Sequence, residues 1–297
     1  MPGSDLSGRY EMALNAFADS CPGQISTRLS GYTCVADLQP FLSAVPTNLR
    51  RKLPSDRLNL ALAFDGNMQQ ASIRQLQLSL PGKLSLSANG RVASLLQPDR
   101  LSANLHIKAK AHNLAFVQPF LPLSVRKTVH LPRNIGLSGN ITANGPHYAA
   151  DLVATEGGGT LYVKAHFNRQ SMAYTLTAKA KQLHLEHFLP RQGLHPFTGT
   201  VATSGQGTDI LSPKTGIRFK ANIDRFQYQS YALDHIRGEV SLRQGHIDAH
   251  LLSNNRMIGG NIRVSGRISN RLVDVVVNGH ITRADLKTLA KLDKRWT

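Results

Sequence analysis

Leu101-Ser102-Ala103-Asn104-Leu105-His106-Ile107-Lys108-Ala109-Lys110 alternates apolar and polar side chains without a break. A period of two puts successive side chains on opposite sides of an extended backbone, so the stretch reads as a strand with one oily and one wet face. The same rhythm recurs at Leu58, Leu60, Leu62 and Phe64, at Leu76, Leu78 and Leu80, and at Leu84, Leu86 and Ala88. It returns at Leu161, Val163, Ala165 and Phe167, at Tyr174, Leu176 and Ala178, at Ile217, Phe219, Ala221 and Ile223, and at Ile262, Val264, Gly266 and Ile268. Helical periodicity is confined to short segments at 37–44, 115–121, 185–189 and 282–294. The chain is therefore expected to be all-β, built from antiparallel strands with a few short helices.

Turn residues punctuate these runs at Pro81-Gly82, Asn89-Gly90, Asn144-Gly145-Pro146, Gly157-Gly158-Gly159, Gly205-Gln206-Gly207, Gln244-Gly245 and Asn278-Gly279. Asn-Gly and Gly-rich pairs between alternating runs signal hairpins, which gives roughly twenty strands joined as a meander. The short helical segments resemble one another. Val35-Ala36-Asp37-Leu38-Gln39-Pro40-Phe41-Leu42 is echoed by Leu114-Ala115-Phe116-Val117-Gln118-Pro119-Phe120-Leu121, by Leu183–Pro190 and by Ile281–Leu289. Residues 1–297 are read as one elongated segment of quasi-repeats ending near 42, 121, 190 and 289. Each apolar turn would pack on the sheet and redirect the chain.

Composition narrows the function classes. Of 297 residues, 41% are hydrophobic and 18% charged, and 35 Lys and Arg against 18 Asp and Glu leave a net charge of +17. Such a surplus suits nucleic acid, anionic lipid or plain solvation of the wet strand face. A nucleic-acid site would cluster the charge beside stacking aromatics. Here Arg74, Lys83, Arg91, Lys108, Lys164, Lys220, Arg243 and Arg263 are spaced singly, and Arg50-Arg51-Lys52 is the one tight cluster. The pattern is that of a solvated face, with lipid headgroups the next reading and nucleic acid not expected as a partner. Cys21 and Cys34 could close a short disulfide loop or stay as two thiols, and the spacing leaves both open. No run of apolar residues is long enough for a transmembrane helix, and Met1–Asp5 lacks the basic start and apolar stretch of a signal peptide. The abrupt start and finish read as a segment of a longer protein.

Motifs for chemistry are missing. No GxSxG, P-loop, HExxH or GxGxxG occurs, and no carboxylate sits where burial would fit it for acid–base work. No enzyme activity and no cofactor are expected. The twelve histidines are scattered; His184 and His187 are three apart and His246 and His250 four apart, without Cys or carboxylates at ligand spacing. The sequence assigns no metal site.

A sheet with one apolar face must bury that face. Closed sandwiches use fewer strands than this chain holds, and no linker divides it, so an antiparallel sheet curled into a U-shaped groove is the expected solution. Its lining would be Leu58, Leu60, Leu62, Phe64, Leu76, Leu78, Leu80, Leu84, Leu86, Leu105, Ile107, Leu161, Val163, Phe167, Leu176, Ile217, Phe219 and Ile223. Val240, Leu242, Ile247, Leu251, Ile262, Val264, Ile268, Val275 and Val277 would continue it. An apolar groove takes acyl chains without polar recognition, because each buried CH₂ contributes about 0.8 kcal/mol wherever it lies. A closed, dry sandwich of the adhesin kind is the competing architecture.

The run Ile236–Ala249, the run Gly259–Ile268, and Asn278-Gly279-His280-Ile281-Thr282-Arg283-Ala284-Asp285-Leu286, a strand, a glycine and then a Leu-bearing turn, resemble the AsmA-like (TamB, translocation and assembly module) family of Gram-negative envelopes. The resemblance covers most of residues 26–292 and rests on degenerate motifs. It implies an internal periplasmic segment with a β-taco fold, whose inner-membrane anchor belongs to the parent chain. It further implies phospholipid acyl chains as ligand and a role in moving phospholipid between the inner and outer membranes. The alternative it implies is a chaperone-like scaffold that receives strands of outer-membrane barrel proteins at its sheet edges. The family has no catalytic residues to carry over.

Overall fold

Two-residue periodicity becomes a run of antiparallel strands whose register joins apolar side chain to apolar side chain. The computed structural model describes residues 4–13, 23–34, 56–67, 69–94, 97, 99–120, 126, 128–207, 215–268 and 273–285. The repeat copy at 35–42, Cys21, and the tail beyond 285 lie outside the described residues. The chain divides into two units, Met1–Gly157 with His187–Leu189, and Gly158–Glu186 with Pro190–Thr297.

In the first unit the strands are β1 (Asp5–Met12), β2 (Ile25–Cys34), β3 (Arg57–Gly66), β4 (Gln70–Leu80), β5 (Leu84–Ala93), β6 (Ser102–Ala111), β7 (Ile135–Asn144) and β8 (His147–Glu156). Each pairs antiparallel with its neighbour in sequence. Directly paired residues share a face, so the register can be followed from strand to strand. One row runs Leu29, Leu62, Leu76, Ala88, Ile107, Gly139, Leu152. The next runs Leu60, Leu78, Leu86, Ala109, Leu137, Ala154, and a third Phe64, Ile73, Gly90, Leu105, Ile141, Ala150. A 3-10 turn, Ala115–Phe120, follows β6.

The second unit holds β9 (Gly159–Asn168), β10 (Ala173–His184), β11 (Pro196–Gln206), β12 (Gly216–Arg225), β15 (Ile236–Arg243), β16 (His246–Asn254), β17 (Ile258–Ile268) and β18 (Val273–Ala284). Its strands are also antiparallel in chain order, stepping over a small ribbon of β13 (Gln227–Tyr228) and β14 (Tyr231–Ala232). Its central row is Ala165, Leu176, Thr203, Phe219, Val240, Ala249, Val264, Val277. A one-turn helix, Leu185–Phe188, follows β10.

Three details differ from the sequence reading. The described strands number eighteen. Asn89-Gly90 and Asn278-Gly279 lie inside β5 and β18 and are not hairpin tips. At Gly90 the backbone has φ +147 and an added Cβ would strike the Asn104 carbonyl across the ladder, so the glycine answers to close approach within the sheet. Finally, Ile281–Ala284, expected to open a helical turn, completes β18, where β17 supplies the ladder partners. Pairing to an adjacent strand overrides a weak helical pattern.

A buried core is almost missing. Among the described residues the buried apolar side chains are Leu80, Ala88, Val92, Ala111, Ala143, Ala180 and Tyr231. Each unit is an open sheet in its own pairing: no ladder joins β1 to β8, or β9 to β18, among the described residues.

Candidate functional site: an uncovered apolar face

All the lining residues named from the sequence fall on the apolar face of their own unit. In the first unit Leu58, Leu60, Leu62 and Phe64 project from β3, and Leu76, Leu78 and Leu80 from β4. Leu84 and Leu86 follow on β5, and Leu105 and Ile107 on β6. In the second, Leu161, Val163 and Phe167 of β9 lead to Leu176 of β10 and to Ile217, Phe219 and Ile223 of β12. Val240 and Leu242 of β15 continue through Ile247 and Leu251 of β16, then Ile262, Val264 and Ile268 of β17, to Val275 and Val277 of β18.

The sequence reading missed Leu29, Ile73, Leu137, Ile141, Leu152, Val201 and Ile236, which stand on the same faces. Their strands dilute the alternation with Gly, Ala and Thr, as in Ile135–Asn144. Ile73 lies three residues from Leu76, out of phase, and a bulge at Arg74 and Gln75 opposite Asn89 restores it.

The lining residues of the first unit are intermediate in exposure or buried, and the second unit holds the more exposed ones. Phe219 is 39% exposed, Leu251 and Ile262 41%, and Val277 62%, whereas Leu80 is 8%. Eight strands at about 4.8 Å and four side-chain rows at about 6.7 Å make an apolar patch on the order of 1,000 Å² per unit. The face lacks polar groups that could fix a ligand's orientation, apart from isolated positions such as Thr203 and Ser253. It selects for apolar character.

The opposite face carries the charge. In the second unit Lys164, Lys179, Arg218, Lys220, Arg237, Arg263 and Arg267 are all exposed. Lys220 Nζ lies 3.1 Å from Glu239 Oε2 and Arg218 Nε 3.7 Å from Glu239 Oε1. Exposed pairs of this kind contribute about 0–1 kcal/mol. Shallow depressions open here too, one between Lys220, Asn222, Arg237, Glu239 and His250. These basic residues stand singly in the ladder, as their spacing in the sequence indicated. His246 and His250 alternate along β16 on this wet side.

In the second unit His184 Nδ1 lies 2.8 Å from Glu186 Oε1, and in the first His187 Nδ1 lies 2.6 Å from Glu156 Oε1. No family model, no curated protein and no solved structure matches the chain.

Proposed function

We propose that the apolar face of each unit binds acyl chains, and that the protein serves as a periplasmic lipid-binding segment in phospholipid transport between the inner and outer membranes. The observation that carries this reading is the set of apolar rows running strand to strand in each unit, partly exposed and most so in the second. An acyl chain lying along such a row and burying about ten methylenes gains on the order of 8 kcal/mol. Neighbouring rows offer nearly the same chemistry, so a chain can move between them without a polar barrier. The enzyme classes have no counterpart in this reading, because a face of Leu, Ile, Val and Gly supplies neither nucleophile nor proton carrier.

The test is occupancy. Chain purified from Gram-negative cells without detergent should yield phospholipid by mass spectrometry. Phe219→Asp or Leu105→Arg should lower that yield at least tenfold while the far-ultraviolet circular dichroism stays that of a sheet. Protein that carries no phospholipid, or variants that carry as much as the parent, would overturn the proposal.

A second reading has its own support. Among the described residues β1 and β18 each pair on one side only within their units, and Val276, Val277 and Ile281 of β18 are 57%, 62% and 67% exposed. An open, apolar edge can accept an added strand, as a client outer-membrane protein would supply. Photocrosslinking from Val276 would capture polypeptide under that reading, and lipid alone under the first.

A further inference from the structure

Among the described residues the end strands β1 and β18 differ in how they are guarded. β1 carries Asp5, Arg9 and Glu11, and Arg9 Nη2 lies 2.6 Å from Glu11 Oε1 on its wet side. Charge on an edge strand resists pairing with other chains. β18 has little of it. Its regular stretch, Val273–Ile281, holds no Lys, Arg or Pro and one acid, Asp274. Val277 and Ile281 on that stretch are 62% and 67% exposed.

The stretch is also suited to pairing with itself. A bulge at Thr282, where the ladder to β17 shifts between Gly259 and Gly260, ends it, and Val277 is its midpoint. Val277 closes the central row of the second unit, after Phe219, Val240, Ala249 and Val264. Two antiparallel copies related by a two-fold axis at Val277 pair residues equally far from it. Val277 then meets Val277 of the second copy, Val275 meets Gly279, and Asp274 meets His280 at both ends. A branched side chain thus covers the position that has none, and a carboxylate faces an imidazole, acceptor against donor. Within one copy the ladder neighbour of Asp274 is Arg267 and that of His280 is Asn261, both on the β17 side. Moving the axis one residue, to Val276 or Asn278, sets Asp274 opposite Asn278 or Thr282 and ends the match to His280.

We propose that two copies of this chain pair edge to edge through β18, about a two-fold axis at Val277. Directly paired residues share a face, so the oily sides of the two second units stay on one side of the joined sheet. The central row runs from Val264 and Val277 of one copy into Val277 and Val264 of the other, and the apolar face doubles in width. Backbone N–H and C=O groups on the open side of β18 gain ladder partners. Each copy uses the same edge, so the assembly closes at two. A strand pair of this length buries less than a standard interface, and a dissociation constant in the micromolar range is expected.

The experiment is sedimentation equilibrium of the full chain from about 1 to about 100 µM, which brackets that range. A monomer–dimer equilibrium is expected. Val276→Lys, on the wet side of β18 and outside the acyl lining, should weaken the dimer about tenfold or more while the circular dichroism and phospholipid yield stay those of the parent. Asp274→His or His280→Asp alone should weaken it about 2–30-fold, because two cross-strand pairs are lost, and the double exchange should restore it. Register is read by oxidative cross-linking in a Cys21→Ser, Cys34→Ser background. Val277→Cys sits on the axis, where paired Cα atoms are about 4.5–5.5 Å apart, and should give a covalent dimer. Ile281→Cys should not, since its counterpart lies about 27 Å away along the strand. Should that background fail to fold, the charge exchange carries the test. A monomer at about 100 µM, growth beyond two copies, or cross-linking through Ile281→Cys overturns the proposal. A photocrosslinker at Val276 should capture a second copy of this chain; capture of another polypeptide alone overturns it as well. Phospholipid yield is scored separately, so failure of the dimer and failure of the lipid reading are distinct results.

Discussion

Gly139 shows how a single residue shapes the apolar face. It stands in the central row of the first unit between Ile107 and Leu152, with φ +148. A Cβ placed there would strike the Asp151 carbonyl of the paired strand. The backbone conformation is one that side chains rarely adopt, and holding it with any other residue costs on the order of 1–3 kcal/mol. Gly139→Ala is thus expected to lower the unfolding free energy from urea titration by that amount, whereas Ala154→Gly, on the same face in a regular stretch, should cost about 1 kcal/mol or less. Equal losses would mean the glycine is there only for want of a side chain.

At the scale of the strand, the bulge in β4 converts an irregular sequence into a regular face. Ile73 and Leu76 are three residues apart, yet pair with Phe64 and Leu62, which are two apart. Arg74, at the bulge, reaches Asp65 as an exposed ion pair of small energetic weight. Deleting Arg74 therefore restores simple alternation and is expected to leave the thermal midpoint within a few degrees of the parent. Deleting Gln77, in the regular part, turns Leu78 and Leu80 to the wet face, or the strand's other half if the register slips. With about 1.5–3 kcal/mol for each leucine so moved, that variant should melt far lower. Thermal denaturation of the two deletions side by side distinguishes a bulge that absorbs an extra residue from one that the sheet requires.

For the whole molecule the relevant contrast is between the two faces. The chain carries a net charge of +17, and among the described residues the Lys and Arg of the strands stand on wet positions while the apolar rows hold almost none. If acyl contact carries lipid binding, raising salt from 0.05 to 0.5 M should leave the phospholipid yield unchanged, because salt screens headgroup attraction and strengthens apolar contact. A severalfold fall in yield would move the binding to the basic side. Within each unit, strand pairing follows chain order, so ladders close between neighbours and the entropy of closing long loops stays small. Such sheets can form without a central core, and the scarcity of buried side chains accords with that.

The alternation of Leu105 and Ile107 with His106 and Lys108 was enough to determine strand type and which side chains share a face, because side-chain direction in an extended chain depends on nothing but parity. The register, the bulge at Arg74 and the mid-strand places of Gly90 and Gly279 came only with the ladders, since a glycine serves a hairpin tip and a crowded strand equally well in sequence. The tertiary structure alone brought Glu156 to His187. That meeting depends on where two strand ends lie in space, and no local periodicity records it.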